Sequence, residues 1–83
     1  MELTEMKNIG TAMKKKLNTI GINSTEELCK IGSKEAFFRL KMAYPEVCLV
    51  HLYTLQGAID NTDFNMLSQD VKSELKAFSD SLR

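Results

Sequence analysis

The sequence predicts an all-α fold, a compact domain of five or six short helices that spans residues 1–83 without a visible domain boundary. Apolar residues recur at three- and four-residue spacing along most of the chain, which is the period of an α-helix. Capping residues precede several of these stripes, and only one proline and four glycines interrupt the 83 residues. A chain of this length buries one modest core, so a deep catalytic pocket is not expected.

The first full helix follows a short turn over residues 4–7 and is predicted by the stripe Met13, Leu17 and Ile20. We expect Gly21 to end this helix, because a residue without a Cβ adopts the left-handed conformation at little cost. Ile22 should then fold back onto Leu17, as the residue after such a helix end commonly does.

Two further helices are predicted between residues 24 and 44. Ser24 and Glu27 have the spacing of a capping box, in which the hydroxyl accepts a first-turn N–H and the carboxylate accepts the N–H of the capping residue. Gly32 should end this helix, and Ser33 is predicted to cap the next one. That helix should stop before Pro45, since proline disfavours helical geometry in the preceding residue.

The second half of the chain predicts a central helix and a terminal one. Pro45 is expected at the first position of the central helix, where a missing N–H is no loss. Residues 47–59 are apolar almost all round, which indicates a helix that the others surround. Residues 60–67 are interpreted as a loop held by Phe64, Met66 and Leu67. Ser68 should cap the last helix, whose apolar face comprises Val71, Leu75, Phe78 and Leu82.

The charge balance argues against a tight, autonomous nucleic-acid binder. Eleven basic and eleven acidic residues give a formal net charge of zero. Residues 1–44 nevertheless carry a balance of +3, and residues 45–83 carry −3. Two cysteines in apolar surroundings predict a reduced, cytoplasmic protein. No apolar run approaches the roughly 20 residues that cross a bilayer, and the acidic start does not resemble a signal peptide.

The sequence contains no pattern that indicates an enzyme. It has no phosphate-binding Gly-Lys-Ser/Thr loop, zinc-ligand spacing or paired-carboxylate arrangement. We interpret the single histidine, His51, as a partly buried or surface residue of the central helix, because the sequence offers no evident nucleophile or carboxylate partner for a triad. We therefore expect no catalytic residues, metal, cofactor or small-molecule substrate.

The turn Asn8-Ile9-Gly10 is the most specific feature of the chain. Asparagine tolerates the left-handed region better than other residues that have a Cβ, so this segment can replace the Gly-Ile-Gly turn of a helix-hairpin-helix unit. Such a turn directs backbone N–H groups and the positive end of a helix dipole toward an anion. The predicted nucleic-acid-binding residues are Asn8, Ile9, Gly10, Thr11, Lys14 and Lys15. The alternative interpretation is that the turn only packs two helices together.

The lysine run after the turn cannot form one basic patch. At about 100° per residue along a helix, Lys14 and Lys16 point in nearly opposite directions. We therefore expect Lys14 and Lys15 to be the charge partners of a bound phosphate. The alternative is a solvated face that contributes solubility.

The order of these residues resembles the C-terminal domain of the TfoX/Sxy competence-regulator family. The resemblance covers nearly the whole chain, and its most specific parts are Tyr44-Pro45 and Gly57-Ala58. The hairpin also resembles that of the C-terminal domain of the bacterial RNA polymerase alpha subunit, which binds DNA. These resemblances imply a bacterial regulatory domain with a helix-hairpin-helix or SAM-like fold, linked to the expression of DNA-uptake genes.

Two functional hypotheses follow. The first is a non-catalytic transcription-regulatory domain that binds DNA weakly and without sequence preference through the hairpin. The second is a protein-interaction module that engages a transcription-related protein, or another copy of itself, through the hairpin or the apolar surface near Phe38 and Met42.

Overall fold

The computed structural model describes residues 2–82, which form five α-helices and two 3-10 helices without a strand. The α-helices are α1 (Thr11–Thr19), α2 (Thr25–Ile31), α3 (Ser33–Ala43), α4 (Leu49–Ile59) and α5 (Gln69–Ser81). One 3-10 helix, Leu3–Glu5, precedes α1, and the other, Phe64–Met66, lies between α4 and α5. The predicted all-α class and number of helices are confirmed.

Helix α4 is the centre of the domain. It packs against α3, α5 and the second 3-10 helix, and Leu52 and Leu55 are fully buried. Its first turn is less enclosed, since Val50 is half exposed. The core draws on both ends of the chain and consists of Leu3, Ile9, Leu17, Ile22, Leu28, Ala36, Phe37, Leu40, Val47, Leu52, Leu55, Ala58, Leu67 and Leu75.

Helix α1 ends as its sequence predicts. Gly21 has a φ of +89°, and its N–H donates to the Asn18 carbonyl at 3.2 Å. The Ile22 N–H donates to the Leu17 carbonyl at 3.0 Å, and both side chains are fully buried. These two hydrogen bonds define a Schellman motif, which satisfies carbonyls at the end of the helix and returns the chain to the core.

The cap of α2 is a shifted form of the predicted capping box. Ser24 Oγ accepts the Glu27 N–H at 3.2 Å, as expected. The Glu27 carboxylate accepts the N–H of Asn23 at 2.9 Å rather than that of Ser24. The reciprocal bond therefore reaches one residue further back, and the carboxylate remains near the positive end of the helix.

The predicted role of Ser33 is wrong. Gly32, with a φ of +89°, occupies the cap position, and Ser33 is the first residue of α3. The helix begins immediately after Gly32 because that residue's positive φ redirects the chain. The Ser33 side chain is buried, and its hydroxyl donates to Gln56 Oε1 of α4 at 2.5 Å. This hydroxyl therefore joins two helices instead of capping one.

Pro45 does not begin the central helix. It occupies the second position of a turn in which the Val47 N–H donates to the Tyr44 carbonyl at 2.9 Å, a position that suits the fixed φ of proline. Val47 is fully buried, and α4 starts only at Leu49. The chain needs these additional residues to bring Val47 into the core before the helix starts.

The last segment agrees with the sequence except at Phe64 and Met66, two of the three residues predicted to hold the loop, which are both exposed. Ser68 Oγ accepts the Val71 N–H at 3.2 Å and caps α5, and Leu75 is buried on its inner face. Leu67 holds the preceding loop in the core, whereas Met66 is 71% exposed and does not. Within residues 2–82, no helix has the length and apolarity needed to cross a membrane.

Replacing Gly21 with alanine should destabilise the domain by about 1 kcal/mol, because a Cβ is strained at positive φ. Against a total of about 4 to 12 kcal/mol for a domain of this size, that loss is measurable by urea denaturation. Gly10→Ser is the control. Gly10 has an extended backbone, and an added Cβ meets no atom within 4 Å. The urea midpoint of the Gly10→Ser variant should therefore stay the same or rise slightly. Equal losses in both variants would contradict the assigned role of Gly21.

Candidate functional site

The predicted turn lies between the first 3-10 helix and α1. Asn8 has a φ of +70°, which confirms that it takes the left-handed position. Ile9 is buried, and its N–H donates to the Met6 carbonyl at 3.3 Å. Gly10 is extended, with φ −96° and ψ −177°. The turn thus depends on Asn8 for its reversal and on Ile9 for its attachment to the core.

The Asn8 side chain joins this turn to the end of α4. Nδ2 donates to the Thr62 carbonyl at 3.0 Å and lies 3.5 Å from the Thr54 carbonyl. Oδ1 accepts the Phe64 N–H at 3.4 Å. These partners are 46 to 56 residues away in sequence. One amide therefore connects the N-terminal turn to both α4 and the loop that follows it.

Gly57 makes this connection possible. A Cβ on Gly57 would lie 2.5 Å from the Thr62 carbonyl oxygen and 2.6 Å from Asn8 Nδ2. Both distances are far below van der Waals contact. The two atoms that the Cβ would meet, Asn8 Nδ2 and the Thr62 carbonyl oxygen, are the donor and acceptor of one hydrogen bond. Only glycine lets the Asn8 amide and the Thr62 carbonyl approach α4 this closely.

A second asparagine at positive φ positions the Thr62 carbonyl. Asn61 has a φ of +55° and follows the last residues of α4. Its N–H donates to the Ala58 carbonyl at 3.3 Å, and the Thr62 N–H donates to the Gly57 carbonyl at 2.8 Å. This is another Schellman motif, and it returns the chain toward Asn8.

The start of α1 presents unused hydrogen-bond donors. Gly10 is the capping residue and has no side chain to accept a first-turn N–H. No acceptor within residues 2–82 receives the N–H groups of Gly10, Thr11 or Ala12, and all three residues are exposed. Parallel N–H groups at the positive end of a nine-residue helix can bind an anion.

The lysines near this helix end diverge, as their spacing predicts. Lys14 Nζ lies 2.7 Å from Glu2 Oε2, and Lys16 Nζ lies 5.4 Å from the centre of the Tyr44 ring. Lys15 is exposed. Of the two predicted charge partners, Lys14 is therefore partly neutralised by Glu2, whereas Lys15 extends into solvent.

The Glu2–Lys14 pair affects the ionisation of the carboxyl group. The hydrogen bond from Lys14, and secondarily its charge, hold the pKa of Glu2 below its usual range. A depressed pKa means that the folded domain favours the ionised carboxylate. The contribution of the pair is therefore present above the ordinary carboxyl pKa and disappears as the pH falls through the lowered value.

The structure also reveals a pair of side chains that the sequence interpretation missed. His51 Nδ1 accepts the Cys48 N–H at 3.1 Å, and Cys48 Sγ lies 3.6 Å from the same nitrogen. The sequence interpretation considered His51 only as a possible member of a triad and did not connect it with Cys48. The available signal was the three-residue spacing, which brings two side chains together when the first caps a helix.

The fold defines a small all-α domain in which a left-handed asparagine turn is attached to a central helix. The chain belongs to the TfoX C-terminal domain family, whose pattern matches residues 1–79. The resemblance seen in the sequence is thus confirmed.

Two solved structures share this fold along nearly the whole chain. An uncharacterised protein from Listeria monocytogenes, in a triclinic crystal form, is 39% identical with a TM-score of 0.96, over 99% of this chain and 93% of that one. A Listeria monocytogenes protein of unknown function, in a tetragonal form, is also 39% identical with a TM-score of 0.95, over 99% of this chain and 100% of that one. No functionally curated protein matches the chain.

Replacing Asn8 with glycine should destabilise the domain by about 1 to 2 kcal/mol, because glycine keeps the positive φ but loses the amide hydrogen bonds. Asn61→Gly is the matched control, since Asn61 also has positive φ but its side chain is exposed. It should change the free energy of unfolding by less than about 0.5 kcal/mol. Chemical denaturation measures both variants. A loss at Asn61 equal to that at Asn8 would contradict the role of the Asn8 side chain.

Proposed function

We infer that this domain is a non-catalytic, cytoplasmic regulatory module that contacts the phosphate backbone of DNA through the start of α1. The observation that carries this proposal is the set of exposed, unused N–H groups at Gly10, Thr11 and Ala12. Membership of the TfoX C-terminal domain family supports a role in transcription regulation, including the expression of competence genes.

The rigidity of the turn favours anion binding at this position. Asn8 and Ile9 attach the turn to α4 and to the core, so the N–H groups of the next residues keep a common direction without a ligand. Preorganised donors lose less freedom on binding than mobile ones do. Phosphate then meets both the N–H groups and the helix dipole.

The surrounding charge favours weak binding. Lys15 is available to a phosphate, but Lys14 is paired with Glu2, and the whole chain is neutral. A site with one or two cations should bind duplex DNA non-specifically, with a Kd of roughly 10⁻⁴ to 10⁻⁶ M that weakens with salt. Such a module would add to the affinity of a larger assembly by holding DNA at a second point.

An exposed apolar pair on α3 favours a second candidate function. Phe38 is 40% exposed and Met42 is 72% exposed, and the two lie one helical turn apart. Large apolar side chains in this arrangement are common where proteins bind one another. The partner would be a transcription-related protein or another copy of the chain.

Replacing Thr11 with proline should weaken DNA binding about tenfold, because it removes one of the proposed N–H donors. Proline is well tolerated at the first position of a helix, and the extended backbone of Gly10 suits a residue before proline. Thr11→Ala is the control, since it shortens the same side chain but keeps the N–H. Fluorescence anisotropy with a labelled duplex at low salt measures all three proteins.

Equal binding by the proline and alanine variants would contradict the backbone contact, provided that their circular dichroism spectra match. Binding that does not weaken with salt would contradict the role of phosphate. If the unmodified protein shows no DNA binding at low salt, but Phe38→Glu with Met42→Glu abolishes capture of a partner from nuclease-treated extract, the interaction module is the correct function.

Replacing Glu2 with glutamine should tighten DNA binding about two- to fivefold at low salt, because it releases Lys14 and removes a nearby negative charge. Glu74→Gln is a charge-matched control. It breaks the Glu74–Lys34 pair, which has the same 2.7 Å length but joins α5 to α3. The anisotropy assay should show a smaller gain for this variant. An equal gain in both variants would indicate a general charge effect instead of a local site.

A further inference from the structure

Cys48 and His51 form a thiol–imidazole pair at the start of α4. Cys48 is the capping residue of this eleven-residue helix, and its side chain is exposed. The Cys48 N–H donates to His51 Nδ1 at 3.1 Å. Neutral imidazole that accepts at Nδ1 carries its proton on Nε2. The one Nδ1 lone pair is therefore engaged by the Cys48 N–H, and Cys48 Sγ lies 3.6 Å from the same nitrogen.

A lysine side chain is fixed against the turn that leads into Cys48. Lys41 Nζ donates to the Val47 carbonyl at 2.7 Å and lies 3.3 Å from the Pro45 carbonyl. These two acceptors hold the ammonium group next to the residue that precedes Cys48. Lys41, near the end of α3, thus has two backbone carbonyls and no anion among these contacts, and it lines the same groove as Cys48.

A surface groove gives a ligand access to the thiol. It has a volume of about 380 Å³, and its lining includes Lys41, Cys48, Leu49, Lys76 and Asp80. Lys76 Nζ lies 3.1 Å from Asp80 Oδ2, so α5 contributes a second cation whose charge is partly balanced. The groove combines an exposed sulfur with two ammonium groups, whereas His51 contacts Cys48 but is not one of the residues that line the groove.

The other cysteine has different surroundings. Cys29 is also exposed, so exposure alone does not distinguish the two thiols. The groove beside Cys29 is lined mainly by uncharged groups, such as Met6 and Ile59, and its one ionisable carboxyl group is Glu5. No histidine or lysine of residues 2–82 lines it. Cys29 therefore serves as an internal reference for Cys48.

We propose that Cys48 is a modification site that reacts with low-molecular-weight disulfides bearing carboxylate groups. His51 Nδ1 gives up its hydrogen bond with the Cys48 N–H and accepts the Sγ proton, and the resulting thiolate attacks one sulfur of the disulfide. An S–S bond forms to Cys48 as the original S–S bond breaks. The leaving thiolate takes the proton from the imidazolium. Cys48 becomes oxidised, the leaving sulfur becomes reduced, and no other oxidant is needed.

The cations of the groove determine which disulfide is preferred. Lys41 and Lys76 attract carboxylates, and the positive end of the α4 dipole favours negative charge near the attacking sulfur. A cationic disulfide should gain nothing from these groups. The proposal does not depend on DNA binding, because this groove is formed by the end of α3, the start of α4 and α5, and not by the start of α1.

The test compares the two thiols in single-cysteine variants, with Cys29→Ser retaining Cys48 and Cys48→Ser retaining Cys29. With the dianionic disulfide 5,5′-dithiobis(2-nitrobenzoate) at pH 7, Cys48 should react about tenfold faster than Cys29. With the dicationic disulfide cystamine, followed by mass spectrometry, that ratio should fall to about threefold or less. Equal rates with the anionic reagent, or the same ratio with both reagents, would overturn the proposal.

Two variants in the Cys29→Ser background test the neighbours of the thiol. His51→Gln keeps a side-chain acceptor for the Cys48 N–H, as in a capping box, but cannot accept the thiol proton. The rate at which Cys48 of this variant reacts with the anionic disulfide should fall to about that of Cys29. Lys76→Gln should slow only the reaction with the anionic disulfide, by about two- to threefold. An unchanged rate in the histidine variant, with an unchanged thermal midpoint, would overturn the role of His51. If the His51→Gln variant unfolds, the Lys76→Gln variant decides the question. An equal change in its rates with the anionic and the cationic disulfide would overturn the proposal.

Discussion

The close approach of Asn8 to α4 is the contact on which the rest of the domain depends. It requires an asparagine at positive φ, a glycine in the middle of the central helix and a carbonyl turned back by the Schellman motif after that helix. The contact needs all three features at once, because the Asn8 amide, Gly57 and the Thr62 carbonyl meet at one point. Together they attach residues 3–10 to the core, and so they determine where α1 begins and which way its first N–H groups point.

This contact also explains how a structural turn can present a binding surface. The Asn8 amide is used entirely inside the domain, as is the N–H of Ile9. The donors that remain free belong to the next residues, where glycine leaves the helix without a side-chain cap. The structural and functional interpretations of the turn are therefore compatible, because they concern different groups of the same segment.

The charged groups show why position matters more than composition in a neutral chain. Lys14 is paired with Glu2, Lys16 lies over Tyr44, and Lys41 is held by two backbone carbonyls. Three lysines thus have three different kinds of partner: a carboxylate, an aromatic ring and backbone carbonyls. The segment between α3 and α4 is a further example, since Val47, whose side chain is buried, accepts a hydrogen bond from Lys41 through its carbonyl, and Lys41 lines the same groove as Cys48.

The sequence by itself determined the helical class, the end of α1 at Gly21, the caps at Ser24 and Ser68, and the left-handed turn at Asn8. All of these depend on interactions within a few residues, which local spacing specifies. Only the tertiary structure decided that Ser33 bonds to Gln56, that Pro45 belongs to a turn, that Glu2 neutralises Lys14 and that Lys41 lies near Cys48. These outcomes depend on how the helices pack, since burial of Val47 and the contact of α3 with α4 override the local preferences of individual residues.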